Sequence, residues 1–198
     1  MTTEYEATFT NIEKDEIRER LKKVGARLMR EEFLQKRTVL LPSKEHEVGG
    51  GFLRVRDEGD KITLTHKIVG NKGIADQKET NLVVDNFEST VSLLTNIGCI
   101  PMTHEESKRE LWNLKGTDIT IDTWPFLEPL VEVEGKSEED VRNISEELGF
   151  NWSAAKFCTI GTLYKEKYGI GPVNIAKETG KMFHLVFDSE NPFLNYKN

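Results

Sequence analysis

Two pairs of glutamates lie far apart in the chain, and each pair encloses a single residue: Glu4 with Glu6, and Glu132 with Glu134. Asp122 lies in a similar alternating segment. Groups of three or more carboxylates bind hard divalent cations such as Mg²⁺ and Mn²⁺. If the fold brings these carboxylates together, they form a candidate metal site.

Basic side chains follow the same alternation in the middle of the chain. Arg54 and Arg56 flank one valine, and Lys67 and Arg109 lie in segments of the same pattern, as does the acidic Glu79. Arginine and lysine bind phosphate oxygens, and arginine does so through paired hydrogen bonds. A site with both the acidic and the basic set would suit a metal-bound polyphosphate. The alternative is a solvated surface of mutually neutralising ion pairs, each of which contributes little to stability.

Alternation with a period of two residues is typical of β-strands, so strands must position these side chains. The pattern predicts strands over 3–9, 33–41, 52–56, 61–68, 79–84, 107–114, 118–122 and 130–134, with loops over 43–51 and 70–77. Apolar residues at helical spacing predict helices over 13–24, 86–97 and 159–168. A further helix is predicted to begin at the capping box that opens with Ser137.

The predicted strands carry charge on one face and apolar residues on the other. In an ordinary half-buried sheet, the charged face is the one in water. Here amphipathic helices are available to cover the apolar face, so the charged face is either open to solvent or curled inward. Curling gives a barrel with a polar interior. Periodicity alone leaves both arrangements open.

Five short motifs, by their order and spacing, resemble those of the CYTH superfamily, whose members are also called triphosphate tunnel metalloenzymes. They are E-Y-E at 4–6, L-R-V-R at 53–56, L-T-H-K at 64–67, R-E-L-W at 109–112 and L-V-E-V-E-G at 130–135. The resemblance covers roughly residues 3–168. It implies an α+β fold in which an eight-stranded antiparallel β-barrel tunnel has its helices packed outside.

The resemblance also implies metal-dependent hydrolysis of a triphosphate-bearing small molecule, namely inorganic triphosphate, thiamine triphosphate or a nucleoside triphosphate. The implied ligands of Mg²⁺ or Mn²⁺ are Glu4, Glu6, Asp122, Glu132 and Glu134. The implied substrate-binding residues are Arg54, Arg56, Lys67, Glu79 and Arg109, and the implied catalytic residues are Glu4, Glu6, Arg56 and Lys67. The superfamily includes class IV adenylyl cyclases, which make cyclic AMP. That activity and non-catalytic binding of a polyphosphate or nucleotide are the alternatives.

The chain departs from the family pattern at positions that are expected to face the tunnel. Thr8 stands where the first motif usually has a lysine, and Ser107 stands where a lysine is common before R-E-L-W. The neighbouring Lys108 is expected to point outward. The segment at 78–84 retains only Glu79 of a more acidic pattern. These differences favour weak catalysis or the non-catalytic alternative.

Composition limits the classes of binding partner and the cellular compartment that we expect for this chain. The 198 residues include 27 Lys and Arg against 34 Asp and Glu, a formal net charge of −7, which argues against duplex nucleic acid as a partner. No stretch reaches the roughly 18 apolar residues of a membrane span. The N-terminal segment is acidic and does not resemble a signal peptide. Cys99 and Cys158 are expected to be reduced thiols, as is typical of a cytoplasmic protein.

We expect one tunnel domain over 1–168 and a C-terminal extension over 169–198. The extension has turn signals and one apolar run, so we expect it to pack on the domain or to exchange with a partner chain. Family members are often dimers, and the resemblance is therefore compatible with a homodimer.

Overall fold

The computed structural model describes residues 1–43, 51–70 and 73–196. The strands in this part are β1 (Thr2–Thr10), β2 (Arg27–Leu41), β3 (Phe52–Asp57), β4 (Ile62–Val69), β5 (Gln77–Val84), β6 (Ile100–Leu114), β7 (Thr117–Thr123), β8 (Leu130–Gly135) and β9 (Phe183–Leu185). The α-helices in the same part are α1 (Lys14–Lys23), α2 (Phe87–Asn96), α3 (Glu138–Glu147), α4 (Ile160–Tyr168) and α5 (Pro172–Thr179).

Strands β1 to β8 form a closed antiparallel barrel. They pair in the order β2-β3-β4-β5-β1-β8-β7-β6, and β2 also pairs with β6, which closes the ring. The closing pair extends from Arg27 opposite Asn113 to Leu41 opposite Ile100. The predicted α+β fold with an eight-stranded barrel is therefore confirmed. The charged strand faces curl inward, which decides between the two arrangements that periodicity left open.

A tight turn fixes the register of β6 against β7. Lys115 and Gly116 form the two-residue connection, and both have positive φ, at 54° and 87°. This is the backbone twist that two-residue hairpin turns favour, and glycine adopts it without steric cost. The resulting register places Arg109 directly opposite Asp122. The turn thus sets up one of the charge pairs of the barrel interior.

The apolar core lies between the outer face of the barrel and the helices. Ala7, Val131 and Val133 point outward and are fully buried against helix residues such as Leu21 of α1 and Val141 of α3. Burying such a side chain contributes roughly 1.5–3 kcal/mol of hydrophobic free energy. Because the strands bury their apolar faces on the outside, their polar faces are left for the interior.

Several predicted bounds are wrong although the element types are right. The strand predicted over 33–41 begins at Arg27, and the strand predicted over 107–114 begins at Ile100. Both extensions exist because the two strands pair with each other along most of their length, a long-range contact that no local pattern reveals. Residues 44–50 of the first predicted loop and residues 71 and 72 of the second lie outside the described residues.

The prediction of a loop over 70–77 is wrong at its C-terminal end. Ile74–Asp76 forms a short 3-10 turn, and Gln77 begins β5. Ile74 is buried in the core, which anchors this turn against the barrel. Gln77 is only 1% exposed and faces the interior, a position that the sequence analysis did not consider.

The described part of the C-terminal segment packs on the barrel. β9 pairs in parallel with β6, with Phe183 beside Thr103. Phe193 is fully buried, and its ring stacks on Tyr164 of α4 with centroids 4.9 Å apart. The Tyr164 hydroxyl donates a 2.6 Å hydrogen bond to the carbonyl oxygen of Pro125 in the β7–β8 connection. These contacts attach the segment to the barrel, and the domain boundary at residue 168 stays a prediction.

One part of the outer barrel face differs from the expectation that helices cover it, because Leu82 of β5 is 55% exposed. In the described part of the chain, no helix is both long enough and apolar enough to cross a membrane.

Candidate functional site

The barrel encloses a cavity of about 500 Å³ lined mainly by the charged strand faces. Every predicted site residue except Asp122 lines it, namely Glu4, Glu6, Arg54, Arg56, Lys67, Glu79, Arg109, Glu132 and Glu134. They come from β1, β3, β4, β5, β6 and β8. The alternation of each strand therefore aims residues that are distant in the sequence into one space.

Three carboxylates meet on neighbouring strands and form what we call the acidic cluster: Glu4, Glu6 and Glu134. One carboxylate oxygen of each lies within 4.8 Å of the other two. Glu6 and Glu134 are directly opposite each other in the β1–β8 register. Like charges at directly opposite positions of an antiparallel pair destabilise it. The arrangement thus carries a repulsion that a divalent cation would relieve.

Burial and mutual repulsion shift the titration of the acidic cluster. Desolvation, followed by the charge of Glu132, raises the pKa of Glu6 to about 8. Glu134 lies at the exposed rim of the cluster, and partial desolvation together with Glu4 and Glu79 raises its pKa to about 7. Oxygen donors of this kind are the ligands that Mg²⁺ and Mn²⁺ prefer, so the residues present fit such an ion.

Arg109 binds two carboxylates, and these three residues form what we call the Arg109 cluster. Its Nε donates a 2.8 Å hydrogen bond to Asp122 Oδ1, and its Nη2 lies 2.6 Å from Glu132 Oε2 as well as bonding to Asp122. Asp122 is only 1% exposed. Desolvation raises the pKa of Asp122 to about 6 despite the opposing effect of Arg109. Desolvation also acts on Glu132, but Arg109 and Lys67 outweigh it and lower the pKa.

The predicted metal ligands are therefore divided between two groups. Glu4, Glu6 and Glu134 come together as a candidate cation site, whereas Asp122 and Glu132 bind Arg109. The sequence alone does not separate the two groups. Alternation shows which face of a strand a carboxylate lies on, but not the register between strands, which determines its neighbours.

Two further predicted phosphate-binding cations, besides Arg109, also contact a carboxylate. Lys67 Nζ lies 2.6 Å from Glu4 Oε2, and Arg56 donates to Glu58 Oε1 through Nε at 3.0 Å and lies 2.8 Å from it through Nη2. For Lys67, Glu6 and Glu4 outweigh desolvation and raise the pKa. Desolvation and then Arg109 lower the pKa of Arg56. Glu58 was not predicted, since it falls in a turn outside the alternating pattern.

Arg54 differs from the other cations of the cavity. Its Nη2 lies 3.5 Å from the hydroxyl oxygen of Thr65, and its buried Nε has no hydrogen-bond partner among the described residues. Burial, then the charges of Arg56 and Arg37, lower its pKa to about 9. A buried guanidinium without a carboxylate partner is costly. An anionic ligand in the cavity would offset that cost.

Arg37, Glu105 and Trp124 line the cavity, and sequence reasoning assigned no site role to Arg37 or Glu105. Arg37 Nε donates a 2.6 Å hydrogen bond to Glu105 Oε2, and its guanidinium lies 4.2 Å from the centre of the Trp124 ring. Trp124 directly follows β7 and is 4% exposed. Arg37 lies on the same strand face as Gln35, and Glu105 lies on the same strand face as Ser107. This alternation is recognisable only when the full lengths of β2 and β6 are known.

The departures from the family pattern are visible in the interior. Thr8 is 3% exposed and lies directly opposite Glu132 in the β1–β8 register. Ser107 is also buried, and its hydroxyl donates a 3.3 Å hydrogen bond to Gln35 Oε1. Lys108 is exposed, with its Nζ 4.9 Å from the centre of the Phe187 ring, as the prediction that it points outward requires. Two small hydroxyl side chains thus occupy positions where lysines were expected.

Comparison with protein families identifies the chain. The model of the CYTH domain matches residues 3–157. The chain therefore belongs to the CYTH domain family. A search of curated proteins gave no match.

Solved structures share the fold at low sequence identity. A conserved hypothetical protein from Pyrococcus furiosus has a TM-score of 0.67 at 17% identity, with 80% of this chain and 98% of that chain covered. A candidate adenylate cyclase from Vibrio parahaemolyticus has a TM-score of 0.69 at 13% identity, covering 83% and 98%. A candidate adenylyl cyclase from Hippeastrum, described as having a dominant triphosphatase activity, has a TM-score of 0.57 at 13% identity, covering 84% and 96%. At these identities the likeness shows the fold alone.

Proposed function

We propose that this chain is a metal-dependent hydrolase of a triphosphate-bearing small molecule. The observation that carries the proposal is the meeting of the acidic cluster with Arg54, Arg56 and Lys67 in one enclosed cavity. Membership of the CYTH domain family supports the same reading, as does the triphosphatase activity described for the Hippeastrum protein. The candidate substrates are inorganic triphosphate, thiamine triphosphate and nucleoside triphosphates.

The acidic cluster would hold Mg²⁺ or Mn²⁺ through Glu4, Glu6 and Glu134. Such an ion, when bound, neutralises charge on the phosphates and activates a water molecule for phosphoryl transfer. Lys67 lies against Glu4 and fixes the position of that carboxylate beside the phosphate path. Glu6 must be ionised to serve as a ligand, so binding of the ion would release its proton.

The basic residues would bind the triphosphate chain and stabilise charge on it during transfer. Arg54 lacks a carboxylate partner among the described residues, so we assign it as the first phosphate contact. Arg56 and Arg109 are already hydrogen-bonded to Glu58 and to Asp122. A guanidinium has five N–H donors, so both arginines can add a phosphate oxygen without losing the carboxylate.

The test is to measure release of orthophosphate and pyrophosphate from inorganic triphosphate, thiamine triphosphate and ATP. Each substrate is assayed with Mg²⁺, with Mn²⁺ and with excess chelator. We expect orthophosphate release that requires the metal. Glu6→Gln should lower kcat at least 100-fold, whereas Glu19→Gln, an exposed residue of α1, should leave it unchanged.

Two other outcomes separate the alternatives. Pyrophosphate released together with cyclic AMP from ATP would identify an adenylyl cyclase instead. No turnover of any substrate, with triphosphate still raising the melting temperature, would identify a non-catalytic binding module. Buried Thr8, opposite Glu132 and in place of the family's usual lysine, is the observation that favours this last alternative.

A further inference from the structure

One end of the cavity is apolar. β2 ends at Leu41, β3 begins at Phe52 and β4 ends at Val69, so the antiparallel pairing places all three at the same end of the barrel. The direction of β7 places Trp124, which follows it, at this end as well. All of these residues line the cavity. Among the described residues, the charged side chains therefore occupy only part of the length of the cavity.

Residues beyond the family match complete this end. The CYTH match ends at residue 157, yet Cys158, Ile160, Pro172 and Val173 also line the cavity. Cys158, Ile160 and Val173 pack in the same hydrophobic cluster as Trp124 and Leu41. We call the surface formed by Leu41, Trp124, Ile160 and Val173 the apolar wall. It is continuous, and it includes the first turns of α4 and α5.

Close backbone packing holds the two helices in this position. Gly171 lies just before α5, and a β-carbon added to it would lie 2.9 Å from the carbonyl oxygen of Gly161 in α4. A real β-carbon does not come this close to a backbone oxygen, so glycine permits the approach. The Tyr164 hydroxyl ties α4 to the barrel through Pro125. The apolar wall is thus a fixed part of the fold.

Arg37 marks the boundary between the charged interior and the apolar wall. Its Nε is bound to Glu105, and its plane lies over Trp124. The Arg37 and Glu105 side chains are 12% and 4% exposed, so the guanidinium is held in place by burial on the β2–β6 pair. Guanidinium planes stack on aromatic rings and also bind phosphate. Arg37 therefore suits the junction of a phosphate chain with an aromatic group.

We propose that the cavity binds an organic triphosphate, with its phosphates in the charged interior and its aromatic ring against the apolar wall, in preference to inorganic triphosphate. Inorganic triphosphate has no group that displaces water from the apolar wall, whereas an aromatic ring does. A cavity of about 500 Å³ lies within the range of roughly 300–1,000 Å³ typical of sites for drug-sized organic ligands. The inference rests on the proposed function for the position of the phosphates.

The experiment compares kcat/KM for inorganic triphosphate, ATP and thiamine triphosphate in the full chain. In the wild type we expect at least a tenfold preference for one of the organic substrates, and the ATP and thiamine triphosphate arms show which ring is accepted. Val173→Trp places a large side chain at the apolar wall, in the space where the ring would bind. It should lower the ratio of kcat/KM for the organic triphosphate to kcat/KM for inorganic triphosphate at least tenfold. Asn174→Trp, on the neighbouring exposed position of α5, is the matched control and should leave that ratio unchanged.

Melting temperatures of both variants establish that they fold, and Ile160→Trp is the second variant should Val173→Trp unfold the chain. An equal ratio in the wall variant and its control, or a wild-type preference for inorganic triphosphate, would overturn the inference while the triphosphatase proposal stands. If no substrate is turned over, calorimetric titration with the three compounds decides. If an organic triphosphate binds and only the wall variant weakens that binding, the inference stands and the hydrolase proposal is rejected. If none of the three compounds binds, both proposals are rejected.

Discussion

The acidic cluster and the Arg109 cluster lie in the same barrel interior but satisfy their charges in opposite ways. In the Arg109 cluster, one guanidinium binds both Asp122 and Glu132, so each carboxylate has a cationic partner within the fold. In the acidic cluster, Lys67 contacts Glu4, while Glu6 and Glu134 stand opposite each other across β1 and β8. Buried carboxylates thus form a charge-paired structural group in one place and a group with too few cationic partners in the other. The incomplete group is the one that needs a ligand.

The largest effect expected from this comparison is on turnover. Glu6→Gln removes a ligand from the acidic cluster and should lower metal-dependent kcat at least 100-fold, or roughly 3 kcal/mol of transition-state stabilisation. The same change removes repulsion with Glu134, so the metal-free variant should melt at a higher temperature than the wild type. Phosphate release and thermal unfolding with chelator measure the two effects. A variant that loses activity and also melts lower would indicate a structural role for Glu6.

The Arg109 cluster should behave in the opposite way. Glu132→Gln leaves Arg109 with Asp122 as its single charged partner and should lower the free energy of unfolding by about 2–4 kcal/mol, because the lowered pKa of Glu132 means that its charge stabilises the fold. The loss should be the same with and without Mg²⁺, because Arg109 binds the carboxylates of this cluster without a metal. Urea unfolding measures it, and Glu19→Gln, at a side chain that is 74% exposed, is the control. A loss that Mg²⁺ restores would place Glu132 among the metal ligands.

A smaller effect is expected from a change at Arg54, which has no carboxylate partner among the described residues. Arg54→Met should weaken binding of a triphosphate about tenfold or more, because a charged phosphate contact is lost. Stability without ligand should stay the same or rise, since a desolvated charge is removed. Calorimetric titration with inorganic triphosphate and urea unfolding measure the two quantities, with Arg142→Met on the exposed side of α3 as control. A destabilised variant that binds normally would contradict the assignment.

The pH dependence of stability should also distinguish the acidic cluster from the Arg109 cluster. The pKa of Glu6 is about 8 in the fold and about 4.3 when unfolded, so the folded chain retains a proton between these values that the unfolded chain releases. Stability without metal should therefore fall as pH rises through that window. The advantage of Glu6→Gln over the wild type should grow from pH 5 to pH 8, and Mg²⁺ should remove it. A difference that does not change with pH would show that Glu6 titrates normally.

Sequence patterns predicted the fold and most of the cavity lining because strand alternation is local. Each of the segments around Glu4, Arg54 and Glu132 shows its charged face without help from the rest of the chain. The resemblance to the CYTH superfamily supplied the closure of the barrel, which periodicity left open. Gln77, hidden at the end of a predicted loop, shows the limit of local patterns.

The division of the carboxylates could not be predicted, because it depends on register between strands. The turn at Lys115 and Gly116 places Arg109 opposite Asp122, and the β1–β8 pairing places Glu6 opposite Glu134. Arg37 was missed for a related reason. Lys36 adjoins it, and without the full extent of β2 the pattern does not show which of the two basic residues faces inward.

The central claim is that the acidic cluster is completed by a divalent cation, and calorimetric titration of the metal-free protein with Mn²⁺ at pH 7 tests it most directly. We expect saturable binding in the wild type and in Glu19→Gln, with a heat of binding that depends on the ionisation enthalpy of the buffer because a proton is released. Binding should be at least tenfold weaker in Glu6→Gln, because one of the three carboxylates that meet there is lost. Equal Mn²⁺ affinity in all three proteins would contradict the account.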